Sequence, residues 1–258
     1  MKAIILAGGL GTRLTEETQL KPKPMVEIGN KPIIWHIMKI FHSYGIKEFI
    51  ILGGYKVEVI KEYFLNYNSL SSDVTVNLKS GKVKIHNSNC EDWDVTILDT
   101  GKHTMTGARI AKAKQIIGNN TFLLTYGDGV GNINIEKLIK AHKEYGGLVT
   151  LTSAQPDGRF GALKFNESMK VLKFEEKPKG DGTWINAGFM VCEPGFFDYL
   201  SVDDKCVLEQ EPLRNCSKNG ELFTYQHKGF WMPMDTLRDK NILSNLWNKN
   251  QAKWKTWN

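Results

Sequence analysis

The sequence predicts an α/β protein built on a Rossmann-like, doubly wound and mainly parallel sheet, with a smaller β-rich part after residue 150. Three observations predict it. Short apolar runs alternate with amphipathic helical stretches through the first half, the pattern of successive strand–helix crossovers. The glycine-rich turn Gly8-Gly9-Leu10-Gly11 directly follows the first apolar run, where a doubly wound sheet places its ligands. After Val149, mostly extended segments follow one another. The 258 residues suffice for one large core, and no linker, repeat or break in composition divides them.

Taken in order, Ala3–Leu6 reads as a buried strand. Pro32 opens a helix at its first turn, and Ile33, Ile37, Ile40 and Tyr44 share one face of it. Phe49–Leu52 is a second strand, stopped by Gly53-Gly54, and Val57–Asn66 reads helical with Val57, Ile60 and Phe64 in register. Val74–Leu78 and Val83–Ile85 flank Ser80-Gly81-Lys82 as a hairpin. Val95–Leu98 is a strand, Gly107–Ile117 a helix, Thr121–Leu124 a central strand and Ile135–Tyr145 a helix. Val149–Ser153, Gly161–Phe165, Val171–Glu175 and Ile185–Cys192 are extended. Asp235–Lys249 closes the chain as an amphipathic helix. Phe230 and Trp231 read as core packing, and the tail with Trp254 and Trp257 among lysines is a candidate for docking on a neighbouring subunit.

Bulk properties narrow the function. No apolar run reaches eighteen residues, so nothing is expected to span a membrane. The N-terminal apolar stretch is too short for a signal peptide and runs into glycines, which predicts a cytoplasmic protein. The four cysteines show no CxxC spacing and read as reduced structural thiols. A net charge of +6 invites nucleic acid as a partner. The basic residues are scattered, however, and phosphorylated small molecules account for the bias as well, so no nucleic-acid partner is expected.

The turn after the first strand carries the first chemical signal. Three glycines let backbone N–H groups point into a cavity as an anion nest, and Arg13 is placed to meet phosphate oxygens. No Gly-Lys-Ser/Thr follows, so it is not a Walker A loop, and Leu14 stands where the dinucleotide fingerprint needs a glycine. Lys21-Pro22-Lys23-Pro24-Met25 then holds two lysines on a stiffened, non-helical segment.

Together these stretches resemble the signature of the nucleotide-sugar pyrophosphorylase (sugar-1-phosphate nucleotidyltransferase) family. The resemblance continues through Asp99-Thr100-Gly101, Met105-Thr106-Gly107, Tyr126-Gly127-Asp128-Gly129, Gly158-Arg159-Phe160-Gly161-Ala162-Leu163, Glu175-Glu176-Lys177-Pro178-Lys179-Gly180 and Phe230-Trp231-Met232-Pro233-Met234-Asp235-Thr236. It implies a GT-A-like fold in which residues 1–150 mainly hold the nucleotide, 151–235 mainly the sugar phosphate, and 236–258 form a helix and tail. It also implies CTP and glucose 1-phosphate as substrates, CDP-glucose for bacterial surface polysaccharides as the product, Mg²⁺ as cofactor, and a homo-oligomer.

That reaction needs no general base, because a phosphate monoester with a second pKa of about 6 is already mostly ionised near neutrality. Catalysis reduces to aligning two repelling anions and neutralising the leaving group. The resemblance makes Asp128 and Asp235 the Mg²⁺ ligands, in keeping with the ion's preference for few carboxylates plus phosphate oxygens. Asp128 follows the strongest strand signal in mid-chain and has glycines on both sides; Asp235 precedes the last helix, where capping that helix is a compatible second role. By the same resemblance Arg13 and Lys23 face the nucleotide phosphates, with Leu6, Ala7, Gly8, Gly9, Gly11, Thr12 and Gly127 around the nucleotide. Thr100, Thr104, Met105, Gly107 and Arg109 would serve the base. Lys177 would hold the sugar phosphate and Glu176 the sugar hydroxyls, while Gly161, Asn186 and Gly188 line the sugar pocket. Uridylyl- and thymidylyltransferases commonly use a glutamine near the base; none lies between Asp99 and Lys114, which favours cytosine. A UTP- or dTTP-dependent enzyme, another phosphorylated acceptor, and a catalytically silent nucleotide-sugar-binding protein are the alternatives.

Overall fold

A computed structural model describes residues 1–88, 90–156, 158, 161–179 and 183–257. The elements that frame the site are β1 (Lys2–Ala7), α1 (Ile33–His42), β2 (Glu48–Gly53), α2 (Val57–Leu65), β3 (Asp94–Asp99), α3 (Thr106–Ala111), β4 (Phe122–Tyr126), α4 (Ile135–Tyr145), β5 (Val149–Ala154), β6 (Ile185–Cys192), α5 (Glu211–Lys218), β7 (Leu222–His227) and α6 (Leu237–Asn248). Seven strands form one sheet in the order β7-β5-β6-β4-β1-β2-β3. Every pairing is parallel except those of β6, which runs against β5 and β4. This is the expected doubly wound, mainly parallel sheet. Because β6 is reversed, its first residues share a rim with the C-terminal ends of the parallel strands.

Side-chain alternation on β1 builds a core on each face. Ala3, Ile5 and Ala7 pack with Ile33, Ile37 and Phe41 of α1, Leu138 of α4 and Leu243 of α6. Ile4 and Leu6 pack with Ile110 of α3, Phe196 and Leu213. Successive strand residues point to opposite faces, so an uninterrupted apolar run is what a strand covered on both sides requires.

The hairpin around Gly81 forms from Asp73–Val76 and Val83–His86, with Gly81 at φ 68°, a conformation open to glycine at little cost. A second exposed hairpin pairs Ala162–Phe165 with Val171–Glu175. Arg159, Phe160 and Gly180 of the family-like motifs, and Asn258 of the tail, lie outside the described residues.

Four expectations need correcting. The helix read over Gly107–Ile117 is two, Thr106–Ala111 and Lys114–Ile117. The chain tightens between them, where the Ala113 N–H reaches Ile110 three residues back and Lys112 Nζ is drawn to Thr100 O and Asp204. Pro32 precedes its helix in an extended conformation rather than opening the first turn. The last helix is capped by Thr236, not Asp235: the Thr236 side chain accepts from Asp239 N while Asp239 accepts from Thr236 N, a reciprocal capping box. The tail docks on its own chain. Trp254 is fully buried, stacks on Phe230 and Trp247, and donates to His36 Nδ1 at 3.4 Å, while Trp257 packs edge-on against Trp35. Strand β7 and helix α5 carried no expectation.

Candidate active site

The site forms on the rim where β1 and β4 end, and three local devices bring its charged groups together. First, Gly127 lets the chain leaving β4 lie against β1: its N–H donates to Leu6 O at 2.9 Å, and a Cβ there would come within 2.7 Å of Leu6 O and 3.0 Å of the Pro24 ring. Pro24 is thereby seated on the rim with Lys23 beside it. Second, Pro22 in an extended conformation leads into a tight turn over Lys23–Met25, closed by Met25 N to Pro22 O at 2.8 Å. Proline fixes φ at both flanks of the lysine, so the side chain leaves a rigid stub.

Third, a short antiparallel ladder pairs Gly129–Gly131 with Trp231–Pro233. Its next rung joins Met234 N to Asp128 O at 2.8 Å. That register carries Asp235, remote in sequence, to the side of Asp128.

The outcome is a closed ionic network. Lys23 Nζ donates to Asp128 Oδ2 at 2.7 Å and to Asp235 Oδ1 at 2.6 Å, and Arg13 Nη1 donates to Asp235 Oδ2 at 3.0 Å. The Lys23 side chain is 11% exposed, Asp235 20% and Asp128 32%, whereas Arg13 is 73% exposed at the mouth. Charge-assisted bonds of this length are the strong ones, and partial burial screens them less than surface pairs. One cation already sits between the two carboxylates, so a hard divalent ion taking oxygen donors fits the pair. Among the described residues no group of three or more His, Cys, Asp and Glu side chains could hold a metal.

Beside the network lies the glycine turn. Gly11 takes φ 65°, and a Cβ on it would press on Thr18 and lie 3.4 Å from Lys23 Cβ. Gly9 faces open space. The Thr18 hydroxyl lies 3.0 Å from Gly11 O and 2.9 Å from Leu14 O, which holds the turn in shape.

The residues expected to serve the base cluster next to this turn, but the polar side chains of Arg109 and Thr104 are engaged within the protein, largely by backbone carbonyls. Buried Arg109 donates to Gly53 O, Thr100 Oγ1, Gly101 O and Gly8 O, so it fastens the glycine turn to the end of β2. A Cβ on Gly8 would overlap that guanidinium, so the arginine would have to shift to admit one. Thr104 Oγ1 sits 2.6 Å from Thr100 O and 2.8 Å from Asp204 Oδ1. Gly107 packs against Cys206, while Met105 remains exposed at the start of α3.

The residues expected around the sugar fall into two groups. Asn186 and Gly188 sit on the rim through the reversed β6. Gly188 takes φ 84°, and a Cβ there would meet the Tyr126 ring at 2.4 Å; Asn186 Nδ2 reaches Tyr126 OH at 3.4 Å. Gly161, Glu176 and Lys177 sit at the exposed hairpin, with Lys177 Nζ 3.7 Å from Glu176. A Cβ on Gly161 would lie 3.3 Å from the Glu176 carboxylate. Among the described residues no bond ties this second group to Asp128 or Asp235.

Sequence reading missed Tyr126 and Glu209 as site residues. Tyr126 OH donates to Glu209 at 2.5 Å, and Glu209 also accepts from Thr106 at 2.9 Å. Burial, then the Glu209 charge, pushes the Tyr126 phenol up. This bond links the strand flanking Asp128 to the helix flanking Met105. No local signal marks Glu209; Tyr126 could have been found from its place directly before Gly127-Asp128-Gly129.

A glycine turn on the sheet rim beside a lysine that joins two carboxylates is the equipment of nucleotidyl transfer. The chain belongs to the nucleotidyl transferase family, whose sequence model matches residues 2–233. Within the family it is 53% identical over 258 residues, all of both chains, to the glucose-1-phosphate cytidylyltransferases of Salmonella typhi and of Salmonella typhimurium strain LT2. In fold it is similar to the crystal structure of HddC from Yersinia pseudotuberculosis, with a TM-score of 0.68 and 24% identity, covering 95% of this chain and 99% of that one. Nucleotidyl transferases of this kind generally work with a divalent metal ion. No helix among the described residues is long and apolar enough to cross a membrane.

Proposed function

We propose that this protein transfers CMP from CTP to α-D-glucose 1-phosphate, releasing pyrophosphate and CDP-glucose, by in-line attack of the sugar phosphate on the α-phosphate. The observation that carries the reaction class is the bridging of Asp128 and Asp235 by Lys23 beside the glycine turn. Full-length similarity to two cytidylyltransferases supports the choice of substrates.

In this reading the N–H groups of Gly8, Gly9 and Gly11 cradle the nucleotide phosphates. Arg13 and Lys23 neutralise charge around the α-phosphate, where fixed donors do most for the transition state. Lys177 binds the sugar phosphate and Glu176 a sugar hydroxyl, while Asn186, Gly188 and Gly161 leave room for the ring. Residues 1–150 thus mainly serve the nucleotide and 151–235 the sugar. Mg²⁺ held by Asp128 and Asp235 would supply charge neutralisation on the phosphate oxygens. The expected location is the cytoplasm.

One face of each exposed hairpin is apolar: Val74, Val76, Val83 and Ile85 on one, Leu163, Phe165, Val171 and Phe174 on the other. Patches of this kind mark interfaces, and a second copy of the chain is the proposed cover. Sedimentation velocity tests it, and a monomer at micromolar concentration removes the oligomer. The decisive test of function is pyrophosphate release measured with CTP, UTP, dTTP and GTP against several sugar 1-phosphates. Selective turnover of CTP with glucose 1-phosphate is the expected result; preference for another pair overturns it.

A further inference from the structure

Lys23 stands between two possible sets of partners. Its root lies against the glycine turn, with a Gly11 Cβ position 3.4 Å from Lys23 Cβ. Its tip lies between Asp128 and Asp235 at 2.7 and 2.6 Å. The ammonium therefore fills the gap between the carboxylate oxygens that a divalent ion would need. With Arg13 on the outer oxygen of Asp235, two positive and two negative charges already balance.

We propose that Lys23 is an exchangeable counter-ion that keeps the divalent-metal site closed until nucleotide binds. The inference rests on the metal assignment above and adds an order to it. A second cation cannot enter beside the ammonium without strong repulsion, and Lys23 cannot leave the carboxylates unless other anions receive it. A triphosphate in the glycine turn offers such acceptors within reach of the four-carbon side chain, which swings without moving the turn that Pro22 and Pro24 fix. Once Lys23 has moved to phosphate, both carboxylates are free for the metal. Nucleotide and metal then bind with positive coupling, and the coupling is reciprocal.

The test reads metal binding directly, with Mn²⁺ as the probe, by the free-ion signal in electron paramagnetic resonance and by water-proton relaxation. Nucleotide-free wild type is expected to show no Mn²⁺ site that Asp128→Asn abolishes. Lys23→Met is expected to gain one, roughly ten-fold or more tighter than any wild-type binding, the scale of a lost charge-assisted interaction, and Lys23→Met/Asp128→Asn to lose it. Adding CTP to wild type is expected to create the Asp128-dependent site, seen as enhanced relaxation from a protein-bound ternary complex. Tight, Asp128-dependent Mn²⁺ binding by nucleotide-free wild type overturns the proposal, and this arm needs no lysine variant to fold. Absence of Asp128-dependent Mn²⁺ binding in every protein, with CTP or without, would instead remove the metal assignment itself.

Discussion

The N–H of Met234 donates to the carbonyl of Asp128, and this bond sets the spacing of the Asp128–Asp235 pair. It extends the short ladder of Gly129–Gly131 with Trp231–Pro233 by one rung and then stops, leaving Asp128 and Asp235 side by side. A slip of one residue would turn one carboxylate to the opposite side of its strand. Asp128→Ala is therefore expected to reduce kcat by about two to three orders of magnitude, the effect of deleting a principal electrostatic group. Steady-state pyrophosphate release with saturating Mg²⁺ measures it, and near-normal turnover would contradict the assignment.

Gly127→Ala tests the seat beneath Lys23. The new methyl would collide with Leu6 O and Pro24, two groups tied to backbone that cannot swing aside. The expected cost is about 1–3 kcal/mol of stability, typical of overpacking, with a fall in kcat because Pro24 carries Lys23. Urea unfolding with parallel kinetics separates the two effects. Gly9→Ala, at a position facing open space, should leave stability nearly unchanged.

Lys177→Ala addresses the sugar side. Lys177 holds φ 47°, a left-handed conformation that is uncommon for a side-chain-bearing residue and found often at functional positions. Its removal should raise KM for glucose 1-phosphate by about ten- to a hundred-fold, the worth of a charged hydrogen bond, with KM for CTP close to wild type. Equal effects on both substrates would point to a general loss of structure.

His36 predicts a pH response. Its Nε2 donates to Ile28 O at 3.0 Å, which leaves Nδ1 as the acceptor for Trp254. Burial, partly offset by its backbone bonds, lowers its pKa from 6.5 to about 4. Between those values the unfolded chain takes up a proton that the folded chain refuses, so stability falls as pH drops from 6.5 towards 4, by up to about 3 kcal/mol. Denaturation midpoints at pH 7.5, 6 and 5 should decline in that order, and the His36 ring resonance should keep its neutral-form shift at pH 5.5. A charged ring at that pH would refute the account.

The strands β1, β2 and β4 are legible in the sequence because each is covered on both faces and therefore continuously apolar. β7 was not, since LFTYQH at the sheet edge is buried only at His227 and half-exposed or exposed elsewhere, with polar residues mixed into its period. α5 was hidden for a related reason: EPLRNCSK buries only Pro212, Leu213 and Cys216. Thr236-Leu237-Arg238-Asp239 does carry the spacing of a capping box, a signal overlooked in favour of Asp235. At the site, Asp128 stood out through the family resemblance, since a Gly-Asp-Gly stretch after a strand reads by itself as an ordinary turn. The bridge from Lys23 was not legible, because it depends on the register of segments 105 and 212 residues away. Glu209 reaches Tyr126 across 83 positions, and no periodicity records such a meeting.

The burial of Trp254 bears on how the molecule comes together in time. Its bond to His36 joins positions 218 apart, and the indole stacks on Phe230 and Trp247. Contacts this distant in sequence slow folding, because a long loop must close before they form. During translation the sheet can assemble from its parallel strands, but one of its two cores stays open on the α1 side until residue 254 has left the ribosome. The aromatic surface of Phe230 and Trp247 therefore stays unsealed until Trp254 arrives, and replacing Trp254 with alanine would leave it open in the finished fold.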